Sequence, residues 1–494
     1  MALARLGRFE EARAALTSGE RKDPRDKRFP IELAGLAYQR KDLPAAQTHL
    51  KRALWLDPND RYANDFLATV YFLRHNLEAA LQHWNRIGKP HIEQIQMEPE
   101  PKVRPALLDQ AFAMAPASML GLHDLRATEA SLDLLGIFPR YQFSLAPRDE
   151  NEEFDLIFRA SERNGWGDTK WAGFMAILRG APYATIYPEW YNLGRSAVNI
   201  TSLARFDPDK LRLFASVEAP VGGNPALRWR FFVDGRKENW DLSTTGIPDP
   251  DLHLQKIETG AGLRGVIGDR WGWSTTFSLA DRKFPRAPTA GTFFTNGVSL
   301  AYRGQLNRAL LRRPEHRLTV DSSAWGEFGK LFARGFDPYA RTGASVSARW
   351  FPQAQGDRYE FSTIVHAGKT FGAVPFDELF MLGVERDNDL PLRAHIGTRD
   401  GRKGSAPLGR NYFLWNADFD RTVYDAGFLK IKLGPFLDSG RITDPSRLFG
   451  SGRWLWDTGA QLKLSLFSTV TVAVSYGKDL RGGRNAFYAT TLRP

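Results

Sequence analysis

The chain has 494 residues, a net charge of +11 and no cysteine, with 25% charged and 43% hydrophobic residues. This length leaves room for two or three structural units, and the composition excludes a chain that is disordered throughout. The lack of cysteine excludes a disulfide framework and any thiolate metal site. Basic residues are dispersed along the chain, so we expect contact with anionic lipid head groups, or plain solvation, and no nucleic-acid partner.

The first 90 residues carry a repeat. Blocks 27–60 and 61–94 are each 34 residues long, the period of tetratricopeptide helical hairpins. Matching positions in the two blocks are Leu33, Ala46, Leu50, Ala53 and Pro58, then Leu67, Ala68, Tyr71, Ala80 and Trp84. An earlier set, Gly7, Phe9, Ala12 and Pro24, fits only if its repeat begins before Met1. We therefore expect residues 1–90 to be tetratricopeptide hairpins with a truncated first repeat and a signal peptide upstream; an amphipathic N-terminal cap is the alternative.

Residues 91–164 predict a small α+β domain. Their pattern is a short alternating strand, two segments of helical spacing and two more alternating strands, at 92–97, 103–114, 122–135, 141–145 and 154–158. Gly136 ends the second helix, within the run Leu134-Leu135-Gly136-Ile137-Phe138. The element order and this ending resemble one polypeptide-transport-associated (POTRA) domain.

Residues 165–494 predict a transmembrane antiparallel β-barrel. Apolar and polar residues alternate from about Ala184 onward, and no run reaches the roughly 18 to 20 apolar residues of a membrane helix. Apolar positions include Leu211, Leu213, Trp229, Phe231, Phe277, Leu462, Leu464 and Val472, with Arg212, Arg228, Arg230, Ser278, Lys463 and Thr471 between them. Such strands need lipid outside and water inside. The alternative, a soluble all-β sandwich, has shorter and less aromatic strands.

The strand count raises a question of parity. We count ten strands before a long polar loop at 377–410 and five after it. A barrel with both chain ends on one side and this loop on the other needs an odd number before the loop. We therefore expect that two strands have been counted as one between Phe284 and Ala340, so that eleven precede the loop.

Two aspartates and an arginine form the candidate site. Asp418 and Asp438 fall on the polar faces of two alternating segments, 413–424 and 429–440, and the preceding loop carries Arg393. Because polar faces line the lumen of a barrel, we expect the loop to fold inside it so that Arg393 neutralises both carboxylates.

This region resembles the sixth extracellular loop and the following strands of the BamA/TamA-type outer-membrane assembly and translocation proteins. The family's Phe-x-Asp-x-Gly strand motif is intact as Phe436, Asp438 and Gly440, while its Arg-Gly-aromatic loop tip is altered at Ala394 and His395. Over residues 91–494 the resemblance implies about sixteen strands and a loop-to-lumen lock formed by Arg393, Asp418 and Asp438. Family members usually end on an aromatic residue, whereas this chain ends on Pro494.

Motifs for catalysis are absent from the sequence. Gly260, Gly262 and Gly265 match a dinucleotide-binding spacing but lie in a strand-like run, where small residues ease strand curvature. Because Arg393 should keep Asp418 and Asp438 ionised, the two carboxylates indicate a structural role and not an acid/base pair. The nine histidines show no ligand spacing. We therefore expect no enzyme activity, no cofactor and no metal site.

The resemblance implies an outer-membrane protein that inserts or translocates polypeptides, with residues 1–90 and 91–164 in the periplasm and the barrel, 165–494, in the bacterial outer membrane. Expected partners are outer-membrane lipid and lipopolysaccharide, unfolded or secreted client polypeptides, and periplasmic or lipoprotein partners that contact the repeats. One alternative is a passive pore or a polysaccharide-export barrel with a tetratricopeptide scaffold. Another is a surface antigen without a transport role.

Overall fold

The computed structural model describes all residues except 1, 2, 4, 5, 149–152, 168, 246, 248, 249, 289–292, 334, 336, 354, 355, 447, 467–469, 493 and 494. It has three parts in chain order: an α-helical array, a small mixed sheet with two helices, and a large antiparallel sheet that curves into a barrel. Among the described residues, no helix has both the length and the apolar character needed to cross a membrane.

Successive helices of the N-terminal array pack against one another. They are α1 (Phe9–Lys22), α2 (Arg28–Gln39), α3 (Leu43–Leu56), α4 (Arg61–Leu73) and α5 (Leu77–Trp84), followed by a 3-10 turn at Asn85–Ile87. The 34-residue repeat is visible in the backbone, because Gly7, Lys41 and His75 have φ values of 75°, 59° and 57°. One residue later, the side chains of Asp42 and Asn76 accept a backbone N–H at the starts of α3 and α5. Equivalent caps therefore recur at equivalent positions.

The second part is an α+β unit. Its elements are β1 (His91–Glu98), α6 (Pro105–Ala111), β2 (Ser118–Met119), α7 (Leu122–Leu135), β3 (Arg140–Pro147) and β4 (Glu153–Ser161). The sheet order is β2-β1-β4-β3, and only β1 and β4 run parallel among these described pairs. The helix predicted at 103–114 is shorter than expected. The Phe154 ring lies 5.7 Å from Trp84 and 5.9 Å from Phe72, so this unit and the helical array share one apolar core.

The third part begins with α8 (Lys170–Leu178) and a 3-10 turn, Ala181–Tyr183. The strands before the long loop are β5 (Thr185–Ile186), β6 (Glu189–Leu193), β7 (Val198–Asp207), β8 (Lys210–Val221), β9 (Asn224–Asp241), β10 (Asp251–Ile267), β11 (Trp271–Arg286), β12 (Gly297–Arg313), β13 (Leu318–Phe332), β14 (Tyr339–Trp350) and β15 (Tyr359–Gly372). Further 3-10 turns are Ser243–Thr245, Pro314–His316 and Phe376–Glu378.

Four two-residue strands lie within the loop and five long strands follow it. The short strands are β16 (Phe380–Met381), β17 (Thr398–Arg399), β18 (Arg402–Lys403) and β19 (Leu408–Gly409). The long strands are β20 (Asn411–Asp425), β21 (Leu429–Thr443), β22 (Leu455–Leu466), β23 (Val470–Asp479) and β24 (Asn485–Leu492).

Neighbouring wall strands are consecutive in sequence and antiparallel, and β15 pairs directly with β20 across the loop. Both β5 and β6 pair with β7, so together they form one interrupted first strand. The strand order returns from β24 to β5, where the hydroxyls of Tyr183 and Thr491 share a hydrogen bond. Fifteen wall positions therefore exist among the described residues, ten before the loop and five after it.

The additional strand expected between Phe284 and Ala340 is wrong for the described residues, because only β12 and β13 lie there besides the ends of their neighbours. The odd number of crossings before the loop arises in another way. Gly165 exchanges backbone hydrogen bonds with Tyr191 near one end of the first strand, whereas Ala184 accepts from Phe206 near the other end. The chain therefore passes from one end of the first strand to the other through α8. The first strand then runs back toward the N-terminal domains.

The two faces of the wall differ as the alternation predicts. Leu213 and Phe277 are 64% and 58% exposed on the outside. Charged residues between such positions are buried inside, among them Arg228, Lys256, Arg282, Asp420, Asp438 and Asp457. An apolar exterior around a charged interior is the pattern of a barrel surrounded by lipid.

The glycines that match a dinucleotide-binding spacing lie in β10, between β9 and β11. A Cβ at Gly262 would come within 2.2 Å of the Thr275 carbonyl oxygen, and one at Gly260 within 2.4 Å of the Phe232 ring. Glycine at these two positions therefore lets the neighbouring strands of the wall pack closely.

Candidate functional site

The loop between β15 and β20 lies inside the barrel. Its short strands pair with each other, β16 with β19 and β17 with β18, and Lys403 of the second hairpin meets Trp240 of the wall. Phe376, Leu382 and Leu392 are buried in two apolar clusters shared with wall residues. The loop is therefore a packed internal element.

The structure brings the three predicted residues together at the loop tip. Arg393 donates from Nη1 to Asp418 Oδ1 at 2.6 Å and from Nη2 to Asp438 Oδ1 at 2.5 Å. Its Nε lies 2.9 Å from Asp438 Oδ2, and its backbone N–H donates to the same oxygen at 3.0 Å. The guanidinium also lies 3.8 Å from the centre of the Phe436 ring. Arg393 is 9% exposed and Asp438 is fully buried, so this is a desolvated, bidentate ion pair.

Small residues and amides complete the tip. Asn416 donates to Asp438 Oδ1 at 2.8 Å and to the Pro391 carbonyl at 2.9 Å. Gly440 faces Leu382, whose Cδ1 would lie 3.0 Å from an added Cβ. In β23, a Cβ at Gly477 would lie 2.7 Å from the Arg393 carbonyl oxygen. The loop backbone therefore lies directly against the wall at a glycine.

A second ionic cluster holds the loop to the opposite side of the wall. Asp387 accepts from Arg205 and from Arg212, each at 2.7 Å. Glu385 lies 3.5 Å from Lys210 Nζ. These three cations belong to β7 and β8, far in sequence from the loop. Here the loop supplies the acids and the wall supplies the bases.

A third cluster lies where the loop begins. Lys256 Nζ is 3.1 Å from Asp377 and 2.9 Å from Glu378. Arg282 Nε lies 3.1 Å from Asp377, and Arg341 Nη1 lies 2.6 Å from Glu378. The loop is thus bound to β10, β11 and β14 as well, on a third side of the lumen.

The loop carboxylates pair with bases on β7 to β14, here called the basic half of the wall: Arg205, Lys210, Arg212, Lys256, Arg282 and Arg341. Arg393 and His395 of the loop face acids on β20 to β23, here called the acidic half: Asp418, Asp438, Asp457 and Asp479, with Asp420 on the same strand as Asp418. Sequence reasoning found Asp418 and Asp438 but missed Asp457 and Asp479. It also missed the loop carboxylates Asp377, Glu378, Glu385 and Asp387. The available signal was the acid-rich loop beside strands whose inward positions are basic.

A fully buried arginine joins the α+β unit to the barrel. Arg228 of β9 donates to the carbonyl oxygens of Leu135 at 2.8 Å, Ala197 at 2.9 Å and Glu218 at 3.1 Å. Leu135 is the last residue of α7, where free carbonyls attract a cation. Asn199 donates to the same carbonyl at 2.9 Å.

A turn of the barrel also contacts the helical array. Glu315, in the turn between β12 and β13, lies 3.2 Å from His83 Nε2 and 3.2 Å from Lys51 Nζ. The hydrogen bond with His83, followed by the charge of Lys51, lowers the pKa of Glu315 to about 2. Asn76 donates to the carbonyl of Pro314 at 2.9 Å. The N-terminal region therefore touches the barrel through its helical array as well as through the α+β unit.

No known family profile matches the chain, and no curated protein sequence matches it. Among solved structures, CdiB from Escherichia coli aligns over 82% of this chain and 75% of its own, with 13% identity and a TM-score of 0.52. CdiB from Acinetobacter baumannii covers 81% of this chain and 73% of its own at 12% identity, with a TM-score of 0.49. BamA from Haemophilus ducreyi lacking POTRA domains 1–3 covers 81% and 84% at 12% identity, with a TM-score of 0.48. The chain therefore shares its fold with CdiB.

Proposed function

We propose that this chain is a bacterial outer-membrane β-barrel of the BamA/TamA type that inserts or translocates polypeptides, and that loop 377–410 is its internal gate. The observation that carries the proposal is the loop inside the lumen, held by ion pairs to three sides of the wall. A passive pore needs an open lumen, whereas a gated barrel needs a stopper that can move.

Lipid exposure is supported by the outer surface. β9 and β10 have 18 and 17 residues, more than the roughly 9 to 11 that a tilted strand needs to cross a bilayer. Their outward positions include Trp229, Phe231, Val233 and Ile257, all of which are exposed. An apolar surface of this extent is stable in lipid but not in water. Outer-membrane lipid and lipopolysaccharide are the partners of this surface.

The chemistry of the loop contacts favours a displaceable gate. Ion pairs in a lumen that admits water are weakened by solvent and salt, and a passing polypeptide offers its own charged and polar groups in exchange. Arg393 holds the fully buried Asp438 with a bidentate contact and also bonds to Asp418, and we propose that these three residues lock the closed state.

We propose that the helical array consists of tetratricopeptide repeats and that the α+β unit is a POTRA-like domain, both in the periplasm. The 34-residue recurrence of Gly7, Lys41 and His75 supports the first assignment, and the order of strands and helices supports the second. β3 lies at the edge of its sheet, where a client segment could add as a further strand. The outer helical surface is available to periplasmic or lipoprotein partners.

Two experiments test the proposal. In the first, the protein is expressed with a signal peptide, extracted in detergent and run on a gel with and without boiling. We expect membrane recovery and a heat-dependent change of mobility; recovery in the soluble fraction would reject the barrel.

In the second experiment, the protein is depleted from its native host and the protein composition of the outer membrane is measured. We expect loss of specific client proteins, restored by the natural chain but not by Arg393→Ala. Unchanged protein composition together with loss of an exported polysaccharide would instead favour an export barrel.

A further inference from the structure

Three aspartates lie side by side on the acidic half of the wall. Asp438 of β21 is in register with Asp457 of β22, and Asp457 is in register with Asp479 of β23. Their exposures are 0%, 0% and 4%. The loop tip runs along this row, and Arg393 pairs with the first of the three. The other two face His395.

The imidazole of His395 lies between two carboxylates. Its Nδ1 is 3.1 Å from Asp457 Oδ2, which also accepts the backbone N–H of Ala394 at 2.6 Å. Its Nε2 is 3.8 Å from Asp479 Oδ2, too far for a hydrogen bond. The imidazole therefore lies between two buried carboxylates, and a cation coordinated by all three groups would offset their like charges.

The second carboxylate oxygen of Asp457 also indicates a missing cation. Asp457 Oδ1 is buried and has no hydrogen-bond partner among the residues that the structure describes. The nearby cations are engaged elsewhere, because Arg393 binds Asp438 and Asp418 while Lys463 binds Asp418 and Asp420. A buried carboxylate oxygen without a hydrogen-bond partner is costly when no Lys or Arg pairs with the group.

We propose that His395, Asp457 and Asp479 bind a divalent transition-metal ion of the zinc class. One ligand atom from each residue lies within 4.8 Å of the other two. Zinc holds nitrogen and oxygen ligands at about 2.0–2.2 Å, so small side-chain rotations bring the three to bonding distance. One imidazole with carboxylates suits zinc or manganese better than calcium or magnesium. Bound metal ties the loop tip to β22 and β23, whether or not the barrel transports polypeptides.

The sequence could not indicate this site. The three residues are separated by 62 and 22 positions in the chain, so no ligand spacing exists to be read. They meet only because the loop folds into the lumen and two wall strands are in register. The expectation that the chain has no metal site is therefore replaced by this proposal.

The test uses the full chain in detergent, stripped with a chelator and titrated with zinc chloride by calorimetry at pH 7.5. We expect one equivalent to bind with micromolar or tighter affinity, and magnesium and calcium to bind more weakly. Zinc should also raise the melting temperature and slow protease cleavage within residues 377–410. His395→Asn and Asp479→Asn should each weaken zinc binding at least about 10-fold. His366→Asn, in β15, is the matched histidine control and should titrate like the natural chain.

Variant folding is checked by heat-modifiable mobility, and Asp479→Asn replaces His395→Asn if the latter does not fold. Equal zinc affinity in the natural chain and a folded ligand variant would overturn the proposal. So would a pH-dependent loop that responds to His395 replacement while the natural chain gives no zinc signal, since a proton would then occupy the position assigned to the metal.

Discussion

Replacing Arg393 with alanine should loosen the loop and lower the stability of the barrel. The change removes a bidentate pair with Asp438, a contact of 2.6 Å with Asp418 and the stacking on Phe436. It leaves Asp438, which is fully buried, without its cation. Breaking a buried pair typically costs about 3–5 kcal/mol, and water in the lumen should bring the loss toward the lower value. Arg393→Lys should restore only part of it, because an ammonium cannot bridge two carboxylates with a planar fork.

The assay is a double-mutant cycle with Asp438→Asn, read by thermal unfolding in detergent and by protease cleavage of the loop. We expect a coupling energy of about 1–3 kcal/mol between the two positions. Arg349→Ala is the matched control, because the Arg349 side chain is 63% exposed beside Glu360 and its loss should cost under about 1 kcal/mol. Strictly additive effects at Arg393 and Asp438 would refute the reasoning.

Three further predictions concern other contacts. Glu315→Gln should lower the stability of the N-terminal region by about 2–3 kcal/mol at pH 7, as measured by thermal unfolding. The pKa of Glu315 is lowered from about 4.5 to about 2 in the folded protein, so the difference between the two proteins should vanish as the pH falls from about 4.5 through 2. Burial, with the charges of Glu78 and Asp133, raises the pKa of Glu129 to about 7, so stability should fall as the pH rises from about 4.5 through 7, and Glu129→Gln should remove that fall in the same assay. Gly477→Ala should displace the loop and expose it to protease, whereas Gly326→Ala, whose added Cβ meets nothing within 4 Å, should not.

The barrel strands could be read from the sequence because lipid and water impose alternation on every one of them. The direction of the first strand could not be read from the sequence. Residues 170–178, Lys-Trp-Ala-Gly-Phe-Met-Ala-Ile-Leu, have no period of two, and their helix makes the crossing that the parity argument had assigned to one additional strand. A parity argument counts crossings by strands alone, so it fails where a helix takes part.

The Arg393 contact was predictable because one arginine, two inward aspartates and a family resemblance converge on it. Asp387 was not, because its partners, Arg205 and Arg212, lie on strands about 180 residues earlier. Local patterns show which face a strand turns inward, but not which side of the lumen a loop residue reaches. Contacts between a loop and distant strands depend on the curvature of the whole wall.

The Arg228 joint has a consequence for building chimeras of this chain. One guanidinium donates to carbonyl oxygens of α7, of the residue before β7 and of β8, so three acceptors each lose one hydrogen bond if it is removed. A foreign domain grafted ahead of residue 165 will seat on this barrel only if its final helix ends with a free carbonyl where Leu135 now lies. Without this carbonyl, the buried Arg228 guanidinium lacks one acceptor, and the grafted domain should be mobile relative to the barrel.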